Sequence, residues 1–156
     1  MPELPEVQTV VNGIKSKINK HKILRFKKYI SKLRYPIQKN LSSEVESSTV
    51  TTVFRRAKYI IINLSNKRSL VIHLGMSGRI IIVKNNKKKF KHTHFSIFFN
   101  KNLVFQFIDP RRFGYIFVTE TALLERHRFF VNLGVEPLIR QFNGRYLLNI
   151  TKNKKS

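Results

Sequence analysis

Apolar and polar positions alternate with two different periods along this chain, and the change of period divides it into elements. Over residues 5–19, Val7, Val10, Val11, Ile14 and Ile18 recur at helical spacing and form one apolar face, which predicts an amphipathic helix. Pro5 suits its first turn, and Glu3 and Glu6 complement the positive end of its dipole. Beyond it the runs shorten and become β-branched and aromatic. "KILRFKKYI", "TVTTVFRR", "KYIIINL", "SLVIHL", "RIIIVK", "THFSIFF", "LVFQFID" and "FGYIFVT" read as eight strands. The stretches 65–69, 85–89 and 100–102, rich in Asn and Lys, read as hairpin turns. From residue 121, "TALLERHRFFVNLG" returns to a helical pattern that Gly134 would stop, and "FNGRYLLNI" reads as the start of another helix before a lysine-rich end. The predicted fold is mainly β with flanking helices (α+β). It is a two-layer β-sandwich or barrel of about eight strands behind an N-terminal helix.

Composition narrows the class. The 156 residues allow one domain with a genuine core, and a hydrophobic content of 42% excludes a disordered basic tail. Lys and Arg number 31 against 8 Asp and Glu, a formal charge of +23. A compact fold with that charge repels itself, so a polyanion is the expected partner, and nucleic acid leads. A membrane surface fits less well, because the cations are spread along the chain and not gathered on one amphipathic helix. The alternative source for part of the lysine excess is a genomic bias toward Lys, Asn and Ile codons. No cysteine is present, so disulfides and thiolate metal sites within this chain are excluded. No signal peptide or bilayer-length apolar run is visible, and a cytoplasmic, monomeric protein is expected.

Five stretches carry candidate chemistry. "MPELPE" opens the chain. Removal of Met1 would leave Pro2 with a secondary amine, and α-amino groups titrate near pH 8, about two units below lysine. The helix dipole behind it disfavours protonation further. Such an amine attacks aldehydes and yields a cationic iminium, with Glu3 beside it as acid or base. On these six residues alone, a plain helix cap is the simpler reading. In "RRAKYIII", Lys58 follows Arg55 and Arg56 at the start of a strand and reads either as a solvated edge or as a phosphate-binding, proton-transferring lysine. In "HLGMSGR", Gly75 and Gly78 flank Met76 in a turn between two strands, which puts Met76 either at an exposed tip or folded into the core. In "KHTHF", His92 and His94 alternate and so share one strand face, as phosphate contacts or as ordinary surface histidines. No third ligand accompanies them, so no metal site is expected. In "FIDPRRFGY", Asp109 starts a turn that presents Arg111, Arg112 and Phe113. Cations and a ring on a loop tip suit insertion into a base stack; the alternative is a turn closed by an Asp–Arg pair.

Taken together, "PELPEV" at 2–7, "RRAKY" at 55–59, "HLGMSG" at 73–78, "DPRRFG" at 109–114 and "LGVEPL" at 133–138 resemble the N-terminal catalytic domain of the formamidopyrimidine-DNA glycosylase family. These are bacterial base-excision repair enzymes for oxidised purines such as 8-oxoguanine and formamidopyrimidines. Leu4 favours this branch over the related endonuclease VIII branch, which typically has glycine there. The resemblance implies that Pro2 is the Schiff-base nucleophile and Glu3 the proton donor in base excision. Lys58 would be the proton donor for β-elimination at the abasic site. Met76, Arg111 and Phe113 would fill the gap left by an everted nucleotide, and His92, Arg111 and Lys155 would contact DNA. The implied partner is damaged double-stranded DNA, with no membrane. The implied organisation is a catalytic β-sandwich over 1–138, followed at 139–156 by the start of a linker to a helix-two-turns-helix region. Full-length members bind one zinc through a C-terminal zinc finger. No cofactor is expected in this chain, which carries no cysteine. A fragment is therefore expected, with activity in doubt without those parts, and the alternative is a non-catalytic basic nucleic-acid-binding β-domain.

Overall fold

The computed structural model describes residues 3–86 and 88–131. Helix α1 (Leu4–Ile18) is followed by strand β1 (Ile23–Lys28), a short helix α2 (Leu41–Val45) and strands β2 (Val50–Arg56), β3 (Tyr59–Leu64) and β4 (Arg68–His73). Then come β5 (Arg79–Lys84), β6 (Thr93–Phe99), β7 (Leu103–Ile108) and β8 (Tyr115–Glu120). A 3₁₀ helix over Thr121–Arg126 closes the series.

The strands form two four-stranded antiparallel sheets, ordered β1-β6-β7-β5 and β2-β3-β4-β8. One core lies between them. Phe26, Phe95, Ile97, Phe105 and Phe107 come from the first sheet, and Val53, Ile60, Ile62, Leu70, Ile72 and Ile116 from the second. Helix α1 packs across it through Val7, Val11, Ile14 and Ile18, the face read from spacing. The mainly-β sandwich with an N-terminal helix is thus the fold the pattern predicted.

The second sheet is apolar on both faces, which explains why β3 and β4 read as unbroken apolar runs and not as alternating ones. Its outer face carries Tyr59, Ile61, Val71, Tyr115 and Phe117, covered by Leu124 and Phe130. That covering role also reshapes the segment predicted as a helix from residue 121. Among the described residues of that segment the short 3₁₀ helix is the helical part, and His127, Phe129 and Phe130 then turn onto the sheet, His127 stacking on Phe117 with centroids 3.9 Å apart. Aromatic docking outweighs helical continuity there.

Two connections differ from expectation. Residues 85–89 are not a hairpin turn, because β5 pairs with β7 and not with β6. The connection instead crosses over the sheet, where Gln106 accepts from the Phe90 amide at 3.0 Å and from the Thr93 hydroxyl at 2.8 Å. The 73–79 turn likewise joins the two sheets and closes no hairpin. The turns at 65–67 and 100–102 do link paired strands. Gly134, the "FNGRYLLNI" start and the proposed boundary at 138 lie outside the described residues.

Candidate nucleic-acid interface and catalytic rim

The first side of the site is the start of α1. Glu3 is its N-cap, Pro5 lies in its first turn, and Glu6 closes a reciprocal capping box by accepting the Glu3 amide at 2.8 Å. Pro2 lies outside the described residues; the cap fixes the direction from which the chain enters the helix. Arg55 then ties this end to a hairpin. Its Nε donates to Gln8 of α1 at 3.1 Å and its Nη1 to the Ala57 carbonyl at 3.0 Å. Ala57 and Lys58 are the two-residue turn between β2 and β3, with Ala57 in the left-handed region. Lys58 is half-buried in that turn, one residue before the strand proper.

The second side is built by two loops locked together through Asp109, which is fully buried. Its carboxylate accepts from Ser77 Oγ at 2.6 Å and from the Gly114 amide at 2.8 Å, and Ser77 Oγ accepts from the Arg111 amide at 3.1 Å. Gly75, at φ +64°, touches the other loop so closely that a Cβ there would lie 2.5 Å from Gly114 N and Phe113 C. This double lock holds the tips outward. Met76 is 50% exposed and Phe113 41% exposed, so the exposed alternative for Met76 is the correct one. The two side chains line one depression of about 250 Å³ with Arg34, His73 and Gly75. The Arg111 guanidinium stands 5.7 Å from the Phe113 ring.

The two histidines of "KHTHF" do not share a face. His92 precedes β6 in a left-handed turn at φ +65° and is exposed, while His94 is buried. The left-handed residue breaks the alternation that the spacing suggested. His94 Nε2 meets the Asp109 carbonyl at 2.7 Å, and burial lowers its pKa. His92 nonetheless stays at the site, because its carbonyl accepts the Asp109 amide at 3.0 Å.

His73, inside "HLGMSG", carries no sequence signal of a role, yet it lines the depression between the tips and packs against two tyrosines. It stacks on Tyr115 with parallel rings 5.0 Å apart, and Tyr59 meets it edge-on at 5.0 Å. The two tyrosine hydroxyls bond each other at 2.8 Å, and burial raises both their pKa values. His73 Nδ1 accepts the Gly75 amide at 3.0 Å, which leaves the ring proton on Nε2. Burial, then the charges of Arg34 and Lys58, lower its pKa to about 4. The ring is therefore a neutral donor beside two cations. Ser77 and Arg34 were also missed: Ser77 reads as turn filler, and Arg34 lies in a stretch without pattern. Lys155 lies outside the described residues.

The rim thus gathers a capped helix start, the Lys58 hairpin, a neutral histidine, exposed cations and two apolar tips. Among the described residues, no group of three or more His, Cys, Asp or Glu could hold a metal.

Known proteins show the same domain. Among solved structures, Lactococcus lactis Fpg (MutM) bound to DNA containing N7-benzyl-Fapy-dG superposes with a TM-score of 0.78 at 25% identity, covering 85% of this chain and 49% of that one. The same figures hold for the complex of the Lactococcus lactis enzyme with abasic-site DNA. In sequence, the formamidopyrimidine-DNA glycosylase of Wolbachia pipientis subsp. Culex pipiens is 40% identical over 156 residues, all of this chain and 57% of that protein. That of Rickettsia bellii is 42% identical over 157 residues, 99% of this chain and 56% of that protein. The chain therefore spans little more than half the length of these relatives. Residues 1–116 match the formamidopyrimidine-DNA glycosylase N-terminal domain, and with the sandwich, capped helix and interlocked loops in place, the chain belongs to the formamidopyrimidine-DNA glycosylase family.

Proposed function

We propose that this chain carries the catalytic half of a base-excision DNA glycosylase for oxidised purines, 8-oxoguanine and formamidopyrimidines, with associated AP lyase strand cleavage. Its substrate is damaged double-stranded DNA, and it acts as a monomer in the cytoplasm. Residues 1–138 are the catalytic unit, and 139–156 begin the linker. The observation that carries the reading is the convergence at one rim of the α1 start, the Lys58 hairpin and the Met76 and Phe113 tips.

The chemistry follows from that arrangement. A base inside a duplex must be extruded before it is attacked, at a cost of a few kcal/mol in stacking and pairing. Met76 and Phe113 offset the cost by occupying the vacated stack, and Arg111 faces the orphaned partner base and holds the backbone with His92 and Lys155. The Pro2 nitrogen bonds to C1′ of the sugar while the C1′–N bond to the damaged base breaks. The base leaves with a proton from Glu3 and the Pro2 nitrogen gives up its own; the C1′–O4′ bond then opens, O4′ takes a proton, and the resulting C1′ iminium acidifies the neighbouring C2′–H. Loss of that proton expels the 3′ phosphate, with Lys58 as the proton donor of this step. Residue types, positions at the rim and family membership support these roles.

Borohydride trapping on duplex DNA with an abasic site tests the reading. The full chain, freed of Met1, is expected to give a covalent adduct that Pro2→Gly abolishes. No adduct, or one that survives Pro2→Gly, sinks the assigned nucleophile. Salt-sensitive binding to undamaged duplex, indifferent to Pro2 and Glu3, would instead favour the non-catalytic basic domain, to which the charge of +23 is equally suited.

A further inference from the structure

The four strands of the first sheet carry no Asp or Glu, and none occurs anywhere between Glu46 and Asp109. The core takes Phe26, Phe95, Ile97, Phe99, Phe105 and Phe107 from one face of this sheet. Alternation and register define the other face. Arg25 pairs with Phe98 and Phe98 with Val104, while Lys27 pairs with Ser96 and Ser96 with Gln106, so all six lie on the outside.

Two half-buried rings stand on that outer face, Phe98 and Tyr29. The Tyr29 amide donates to the His94 carbonyl at 2.8 Å and its hydroxyl to Ser96 Oγ at 3.1 Å, which holds it at Ser96. Phe98 lies two residues further along β6, about 6–7 Å away along the strand. Lys27 Nζ and Lys89 Nζ lie 5.4 and 4.7 Å from the Tyr29 ring centroid, and the Arg25 guanidinium carbon lies 5.7 Å from that of Phe98. These three cations are exposed, and among the described residues none pairs with a carboxylate.

β1 is an edge strand, and charge on an edge prevents pairing with another chain. That accounts for Arg25 and Lys27. It does not account for Lys89, which the 85–92 connection brings to Tyr29, nor for two rings left partly in water. A field of one sign collects polyanions, and the rings say which kind. Duplex bases are stacked inside the helix, out of reach of a sheet face. The bases of a single strand splay out and stack on aromatic rings and guanidinium planes, while the backbone follows the cations. We propose that the outer face of the first sheet is a second nucleic-acid contact surface, which takes a single strand with bases on Tyr29 and Phe98 and phosphates on Arg25, Lys27 and Lys89. It uses none of the rim residues and is independent of the Pro2 chemistry.

The test uses the full chain and a short oligothymidine strand carrying one 5-iodouracil. Ultraviolet crosslinking followed by peptide mass spectrometry is expected to place adducts on Tyr29 or Phe98. In anisotropy titrations, Tyr29→Leu with Phe98→Leu keeps every charge and should weaken binding of the strand about tenfold or more, the scale of a lost base–ring stack. Adducts confined to the Met76 and Phe113 tips overturn the proposal, even where the double variant fails to fold. So does a folded double variant that binds the strand as tightly as the parent. Undamaged duplex that displaces the strand from Tyr29 and Phe98 at equal concentration overturns it in favour of a duplex surface. Phosphatidylserine vesicles that lose affinity for the double variant, while the strand does not, overturn it in favour of a membrane.

Discussion

A histidine kept neutral between two tyrosines gives this surface a pH response. The ordinary pKa of His73 is 6.5, and in the folded chain it is about 4. Between those values the unfolded chain binds a proton that the folded chain refuses. Stability is therefore constant above pH 6.5 from this group and falls as pH drops from 6.5 toward 4. His94 and His127 are also lowered by burial and act with the same sign. Thermal unfolding across that window should show the midpoint falling with pH, less steeply in His73→Gln; an equally steep fall in that variant would remove His73 as a cause. Single residues were unevenly legible in the sequence. Lys58, Met76, Arg111 and Phe113 stood out because a basic or apolar residue in a glycine-punctuated turn has few structural uses. His73, Ser77 and Arg34 did not, because their roles depend on partners far along the chain. His94 misled because one left-handed residue before it cancels the alternation.

Strands and α1 were legible because their signal is local: apolar spacing, β-branching and turn residues. Sheet partnership is not local, so β5 pairing with β7, and the long connection at 85–92, could not be read. The interlocked loops belong to the same class, since Asp109 and Ser77 are 32 positions apart. Their energetics separate support from contact. Gly75→Ala places a Cβ against backbone at a positive φ, and should destabilise the fold by about 2 kcal/mol or more. Met76→Ala and Phe113→Ala remove exposed side chains and should change stability by no more than about 0.5 kcal/mol. They should nonetheless weaken binding to abasic-site duplex DNA. Denaturant unfolding beside DNA titration checks both; a large loss of stability in Met76→Ala would mean that the tip is structural.

At the scale of the whole molecule, charge was the most legible property, and the rim now gives part of it a place: Arg34, Arg111 and Arg112 lie at one edge, with Lys58 and His92 beside them. The two-faced second sheet has another consequence. The match to the family domain ends at residue 116, yet Tyr115 and Phe117 on the outer face are roofed by Leu124 and Phe130. A version cut after Glu120 would lose that roof and bare a ring of aromatic and branched side chains to water. Such a version is expected to bind a hydrophobic dye and to self-associate in sedimentation, where the full chain does not. The smallest unit able to stand alone is thus set by what shields the sheet from its own copies, and it reaches past the last strand.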